Sequence, residues 1–154
     1  MNPLNSPLEV SVRALVLLAE SYPDSLDLAE LVLLDHAMLY SGELEGPPSL
    51  HPTLPAHTGE LGVKRQLLQQ ALLVLIRAGL AELRADTDGL TYVATEQGPA
   101  FVDILEAPYV GSLRDRAQWA VHDYTPRDDV REATRSITTD PHRGRGTTGQ
   151  QPWI

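Results

Sequence analysis

The chain contains no cysteine. That excludes disulfides, thiolate zinc sites and cysteine nucleophiles together, and it fits a reducing compartment. Lysine occurs once, as Lys64, against eleven arginines. No apolar run approaches the ~18 residues that a membrane span needs. The opening MNPLNSPLEVSVRALVLLAE does not read as a signal peptide. It has no basic region ahead of its apolar run, and Glu9, Arg13 and Glu20 interrupt that run. Walker A and dinucleotide glycine motifs are missing, and no Gly-x-Ser-x-Gly elbow surrounds a serine. A soluble, cytoplasmic protein without catalytic machinery is expected.

What is present suits one domain with a tail. The 154 residues are 42% hydrophobic, enough for a core. Net charge is −9, unevenly spread. Residues 1–112 carry 15 acidic and 5 basic side chains, and residues 113–154 carry 6 and 7. An acidic body repels a phosphate backbone, because nucleic-acid affinity comes mainly from Lys and Arg.

Helix signals come first. Ser6, Pro7 and Glu9 have the spacing of an N-cap, a first-turn proline and a capping-box acid. Leu8, Val12, Leu15 and Ala19 fall on one face of the helix that follows, and Val10, Leu17 and Leu18 widen it. Asp27 and Glu30 form a second capping box for a helix reaching about residue 40, closed by Gly42. A third helix is expected from residue 58 or 59 to 78. Its first turns are polar and read as exposed, and ALLVLI at 71–76 reads as core on all sides. Gly79 and Leu80 suit a Schellman end. Partial alternation on either side of Asp88-Gly89 predicts a β-hairpin over 80–94. Thr95 is expected to cap a short helix over 96–106, with Phe101, Ile104 and Leu105 facing the core. A further helix covers 108–124. Residues 125–154 read as a polar helix followed by a disordered tail.

Three helices, a hairpin and a helix follow the order of a winged helix-turn-helix. The expected fold is therefore mainly α with a small β-hairpin: a winged-helix-like domain over 1–124 with extra C-terminal helices. One feature departs from that pattern. A DNA-reading helix-turn-helix joins its second and third helices by a turn of a few residues. Here the join is SGELEGPPSLHPTLPAHTGEL, which carries four prolines and two histidines. Loops this long are uncommon unless they are functional or disordered. The wing sets Glu82, Asp86 and Asp88 against Arg84, a poor surface for phosphate.

Several stretches also resemble one family. They are MNPLNSPLEV, LDLAELVLLDHAMLYSG, GPPSLHP, GELGVKRQLLQQALLVLIRAGL and EAPYVGSLRDRAQWAV, matching in order over residues 1–124. The chain is similar to the middle component of bacterial ABC-three-component conflict systems, relatives of Lamassu-type antiphage operons. The resemblance implies a winged-helix adaptor without catalysis of its own. Its partners would be an SMC- or Rad50-like ATPase and an effector.

Asp35 and His36 are helical neighbours about 100° apart, so they form no dyad. His51 and His57 lack a firm third ligand for a metal. Neither a cofactor nor a metal is expected. Lys64 and Arg65 stand where a recognition helix would read bases, and they are expected to contact a partner or, weakly, DNA. Prolines restrict φ, so Pro47, Pro48, Leu50, His51 and Leu54 form a loop that orders at reduced entropic cost. That loop could serve as a partner interface, or it could fold back on its own domain with Leu50 filling a gap. The alternative function is a winged-helix transcription regulator.

Overall fold

A computed structural model describes residues 6–51, 60–87 and 89–124. Leu54, His57 and the helix and tail expected beyond residue 124 lie outside them. Five helices and one hairpin are described: α1 (Pro7–Ser21), α2 (Leu28–Leu39), α3 (Glu60–Arg77), β1 (Ala81–Asp86), β2 (Gly89–Ala94), α4 (Gln97–Asp103) and α5 (Pro108–His122). This is a mainly α, winged-helix-like fold with extra helices.

Helix α1 is the hub. The Ser6 hydroxyl accepts the Glu9 N–H at 3.2 Å, and Pro7 opens the first turn. Val10, Ala14, Leu15, Leu17 and Leu18 are buried, because α1 packs against α2, α3, α4 and α5. The stripe expected from Leu8 is corrected here. Leu8 is 76% exposed, and the centre of the buried face is held by Val10, Ala14 and Leu17.

The α2 capping box is complete. The Glu30 N–H donates to Asp27 Oδ1 at 2.7 Å, and the Asp27 N–H donates to Glu30 Oε1 at 3.0 Å. Gly42 does not end this helix, contrary to expectation. Tyr40 is its C-cap, and a short 3₁₀ turn (Ser41–Leu44) follows. The chain then doubles back, and the N–H groups of Leu50 and His51 both donate to Leu39 O, at 3.0 and 3.2 Å. Residues 40–51 are thus a closed excursion that returns to the end of α2.

Helix α3 ends in the expected Schellman motif. Leu80 N–H reaches Leu75 O at 2.9 Å, Gly79 N–H reaches Ile76 O at 3.1 Å, and Gly79 has φ +76°. The hairpin pairs Ala81 with Ala94 and Asp86 with Gly89. Leu26, between α1 and α2, adds an antiparallel bridge to Tyr92. That bridge is the third element of a winged-helix sheet, and it anchors the wing to the helical body.

Two further expectations change. The Thr95 hydroxyl donates to Gly79 O at 2.7 Å instead of capping α4. Gly98 and Val102 turn α4 toward the core, while Phe101 and Ile104 are 40% and 70% exposed. Gly98 sets that orientation, because a Cβ there would stand 3.0 Å from Ala94 Cβ and from Leu80 O.

These contacts predict opposite signs for two glycine-to-alanine changes. Gly79→Ala forces an L-residue into the left-handed region and should cost about 1–2 kcal/mol. Gly111→Ala, in helix α5 with open space around it, should gain about 0.5–1 kcal/mol. Urea unfolding midpoints of the two variants would check both.

Candidate functional site

One carboxylate ties the three helices of the core together. Asp35 on α2 is fully buried. Arg13 on α1 donates to it in a fork, Nε to Oδ1 at 2.8 Å and Nη2 to Oδ2 at 3.2 Å. Lys64 on α3 donates Nζ to Oδ2 at 2.6 Å. Arg13 and Lys64 are only 1% and 5% exposed. Burial alone would push the Asp35 pKa up, but the charges of Lys64 and Arg13 outweigh it and hold the carboxyl well below the usual carboxylate range. Glu9, one turn before Arg13, lies 3.6 Å from Arg13 Nη1 and completes a balanced set of two cations and two anions.

A second layer fixes the loop over this cluster. His51 is buried, and its Nε2 lies 2.7 Å from the Tyr109 hydroxyl on α5, with the rings stacked at 21°. Burial, and then the hydrogen bond to Glu9, push the Tyr109 pKa up. The hydroxyl therefore stays protonated. Burial, and then the Arg13 charge, lower the His51 pKa, so the ring is held neutral. Further along α5, Arg116 Nε donates to Pro48 O at 2.9 Å. A Cβ on Gly46 would fall within the Trp119 indole, so only glycine lets the loop lie against that ring. Within the loop, the Ser41 hydroxyl donates to Pro47 O at 2.8 Å, and Gly42 N–H donates to Ser49 Oγ at 2.9 Å.

The outer face of α3 follows from what its inner face uses up. Lys64, Leu68, Ala71, Leu72 and Leu75 turn inward. The opposite stripe is exposed and consists of Val63, Gln66, Gln70, Leu73, Val74 and Arg77. Val63, Leu73 and Val74 are 54%, 52% and 48% exposed. These positions repeat at helical spacing on one side of α3. The stripe offers apolar and amide groups with a single cation at its end, unlike a surface built for phosphate.

Two sequence expectations are corrected by this geometry. Lys64 is not exposed, because its ammonium is the second counter-ion of Asp35. The run at 71–76 is not core on all sides, because Leu73 and Val74 face outward. His51 closes the loop onto α5. The fold-back of the loop is present as well: Leu50 packs against the core, Pro47 is half-buried and Pro48 is exposed. Arg65 is half-buried beside Lys64.

Sequence reasoning passed over Arg13, Tyr109 and Trp119, and it dismissed Asp35. The available signal was a charge inside each of two apolar runs, VSVRALVLLA and ELVLLDHAML. Asp35 and His36 indeed form no dyad, since Asp35 is taken up by Arg13 and Lys64 and the His36 ring lies tilted against Tyr40, with centroids 4.9 Å apart. Among the described residues no group of three or more His, Asp or Glu could hold a metal, and no helix is long and apolar enough to cross a membrane.

Fold and site together define a winged-helix protein whose recognition-helix position shows an apolar and amide face. Residues 3–138 match the model of one family, the ABC-three component (ABC-3C) system Middle Component 2, and the chain belongs to that family. The match runs past residue 124, where the adaptor domain was expected to end. No curated protein and no solved structure matches the chain. Family membership makes the chain a non-catalytic component of a system that also has ATPase and effector components, and it supports an adaptor role in an antiphage complex.

Asp35→Asn leaves the buried cations Arg13 and Lys64 with Glu9 alone as counter-charge and should cost about 3–5 kcal/mol. Replacing all three residues, as Arg13→Met, Asp35→Leu and Lys64→Met, should recover most of that loss in denaturant unfolding. His51, whose pKa is lowered on folding, contributes stability that is complete above its ordinary value near 6.5 and is lost as pH falls below it. The thermal midpoint of the protein should therefore fall between pH 7 and pH 5, and His51→Gln should flatten that slope.

Proposed function

We propose that the chain is the adaptor that couples an SMC- or Rad50-like ATPase to an effector, and that it grips a protein partner through the outer face of α3. The observation that carries this reading is the stripe from Val63 to Arg77. A helix at the recognition position of a winged-helix fold exposes valine, leucine and glutamine there, while its lone lysine is spent in the core. Exposed apolar side chains grouped on one helical face favour a protein partner over a phosphate backbone.

A second contact is proposed at the loop. Pro47, Pro48 and Leu50 are presented on a segment already fixed by Arg116, Trp119 and Tyr109, so little entropy remains to be lost on docking. Arg65 and Leu54 belong to the same proposal. Lys64 and His51 support this surface from beneath it. The winged-helix architecture also keeps a DNA-binding regulator as the second reading, and the acidic wing weighs against it.

Co-expression with the ATPase and effector encoded beside this chain tests the adaptor reading. A tagged chain should retain at least one of them through purification. The double variant Leu73→Asp, Val74→Asp should reduce that capture about tenfold or more, as loss of a central apolar contact does, with little change in thermal midpoint because both side chains are exposed. Capture of neither protein by the unmodified chain would overturn the reading. Sequence-specific DNA binding by the isolated protein at physiological salt would favour the regulator.

A further inference from the structure

The wing carries an open strand edge whose charges complement themselves. β2 lies between two neighbours. Leu26 and Tyr92 exchange both backbone hydrogen bonds at 2.8 Å on one side, and β1 pairs on the other. The outer edge of β1 pairs with no other described strand. Thr95 N–H donates to Leu80 O at 3.0 Å, which sets the phase of the ladder. Residues of an antiparallel pair alternate in the direction of their backbone groups. Glu82, Arg84 and Asp86 therefore turn theirs toward β2, while Leu83 and Ala85 turn theirs outward. All five of these residues are exposed.

Natural edges are often protected by charged side chains, above all lysine. Here the alternation of acid, base and acid does the reverse. On an antiparallel second copy centred on Ala85, Arg84 faces the copy's Asp86. Centred on Leu83, it faces the copy's Glu82. Both arrangements bring outward backbone groups together and make opposite-charge pairs across the strands. The register between them sets Arg84 against its own copy and is disfavoured. On the other face of the hairpin, Leu83, 49% exposed, meets its counterpart in the register centred on it.

We propose that two copies of this chain associate edge to edge along β1, with Arg84 of each copy facing an acidic residue of the other. The two wings would then form one continuous sheet about a two-fold axis. The wing is remote in sequence from the loop and uses none of the α3 stripe, so the pairing stands apart from the adaptor reading.

The test uses the full chain alone, by sedimentation velocity over a concentration series. The expected result is a concentration-dependent shift from the 16.9 kDa monomer to twice that mass. Arg84→Glu should remain monomeric, since every facing charge is then acidic. The double variant Glu82→Arg, Asp86→Arg should also remain monomeric, since every facing charge is then basic. An equimolar mixture of the two should dimerise, because each strand now complements the other. Circular dichroism of each variant serves as the folding control. A chain that stays monomeric to on the order of 100 µM, well above the micromolar range of a specific association, would overturn the proposal. So would an Arg84→Glu variant that still dimerises, or a mixture of folded variants that does not.

Discussion

The Asp35 carboxylate is the constraint on which the rest of the structure depends. A buried anion cannot stay unpaired, and its two partners come from two other helices. Arg13 takes it as a fork and Lys64 as a point charge, so α1, α2 and α3 can meet in only one register without stranding a charge. Apolar residues of similar volume could hold the helices as strongly. They would not dictate which turn of α3 faces α2. The cluster therefore sets the rotation of α3 about its axis, and that rotation decides which residues are left outside.

The outer face of α3 follows from this rotation. With Lys64, Leu68, Leu72 and Leu75 turned inward, Val63, Leu73 and Val74 must turn outward. The lone lysine of the chain, which could have met a phosphate, is neutralised in the core. The wing beside α3 carries two acids and one arginine on β1. A fold often used to read DNA is thus presented with a surface suited to protein. The chain's membership of the ABC-3C Middle Component 2 family agrees with that surface.

Much of this was legible in the sequence. Capping at Ser6 and Asp27, the Schellman end at Gly79 and the hairpin around Gly89 are local signals, and each was met by the expected structure. Long-range pairing was not legible. Nothing near Lys64 announces that its counter-charge lies 29 residues away on another helix. Apolar content alone made 71–76 look buried on every side, although a helix packed on one flank leaves the other exposed. The same limit misplaced Phe101 and Ile104, because the orientation of α4 is set by the close approach of Gly98 to Leu80. Folding back of the proline-rich loop was one of two readings open in the sequence, but its dependence on Tyr109, Arg116 and Trp119 could not be read from its own residues.

The central claim is that the outer face of α3 meets a protein. A photo-crosslinking amino acid placed at position 73, in the complex assembled with ATPase and effector, tests it most directly. The expected result is a crosslink from position 73 to one of those two proteins, with little from Gln118 on the exposed side of α5. A crosslink from position 73 to nucleic acid, or capture at Gln118 with none at 73, would contradict it.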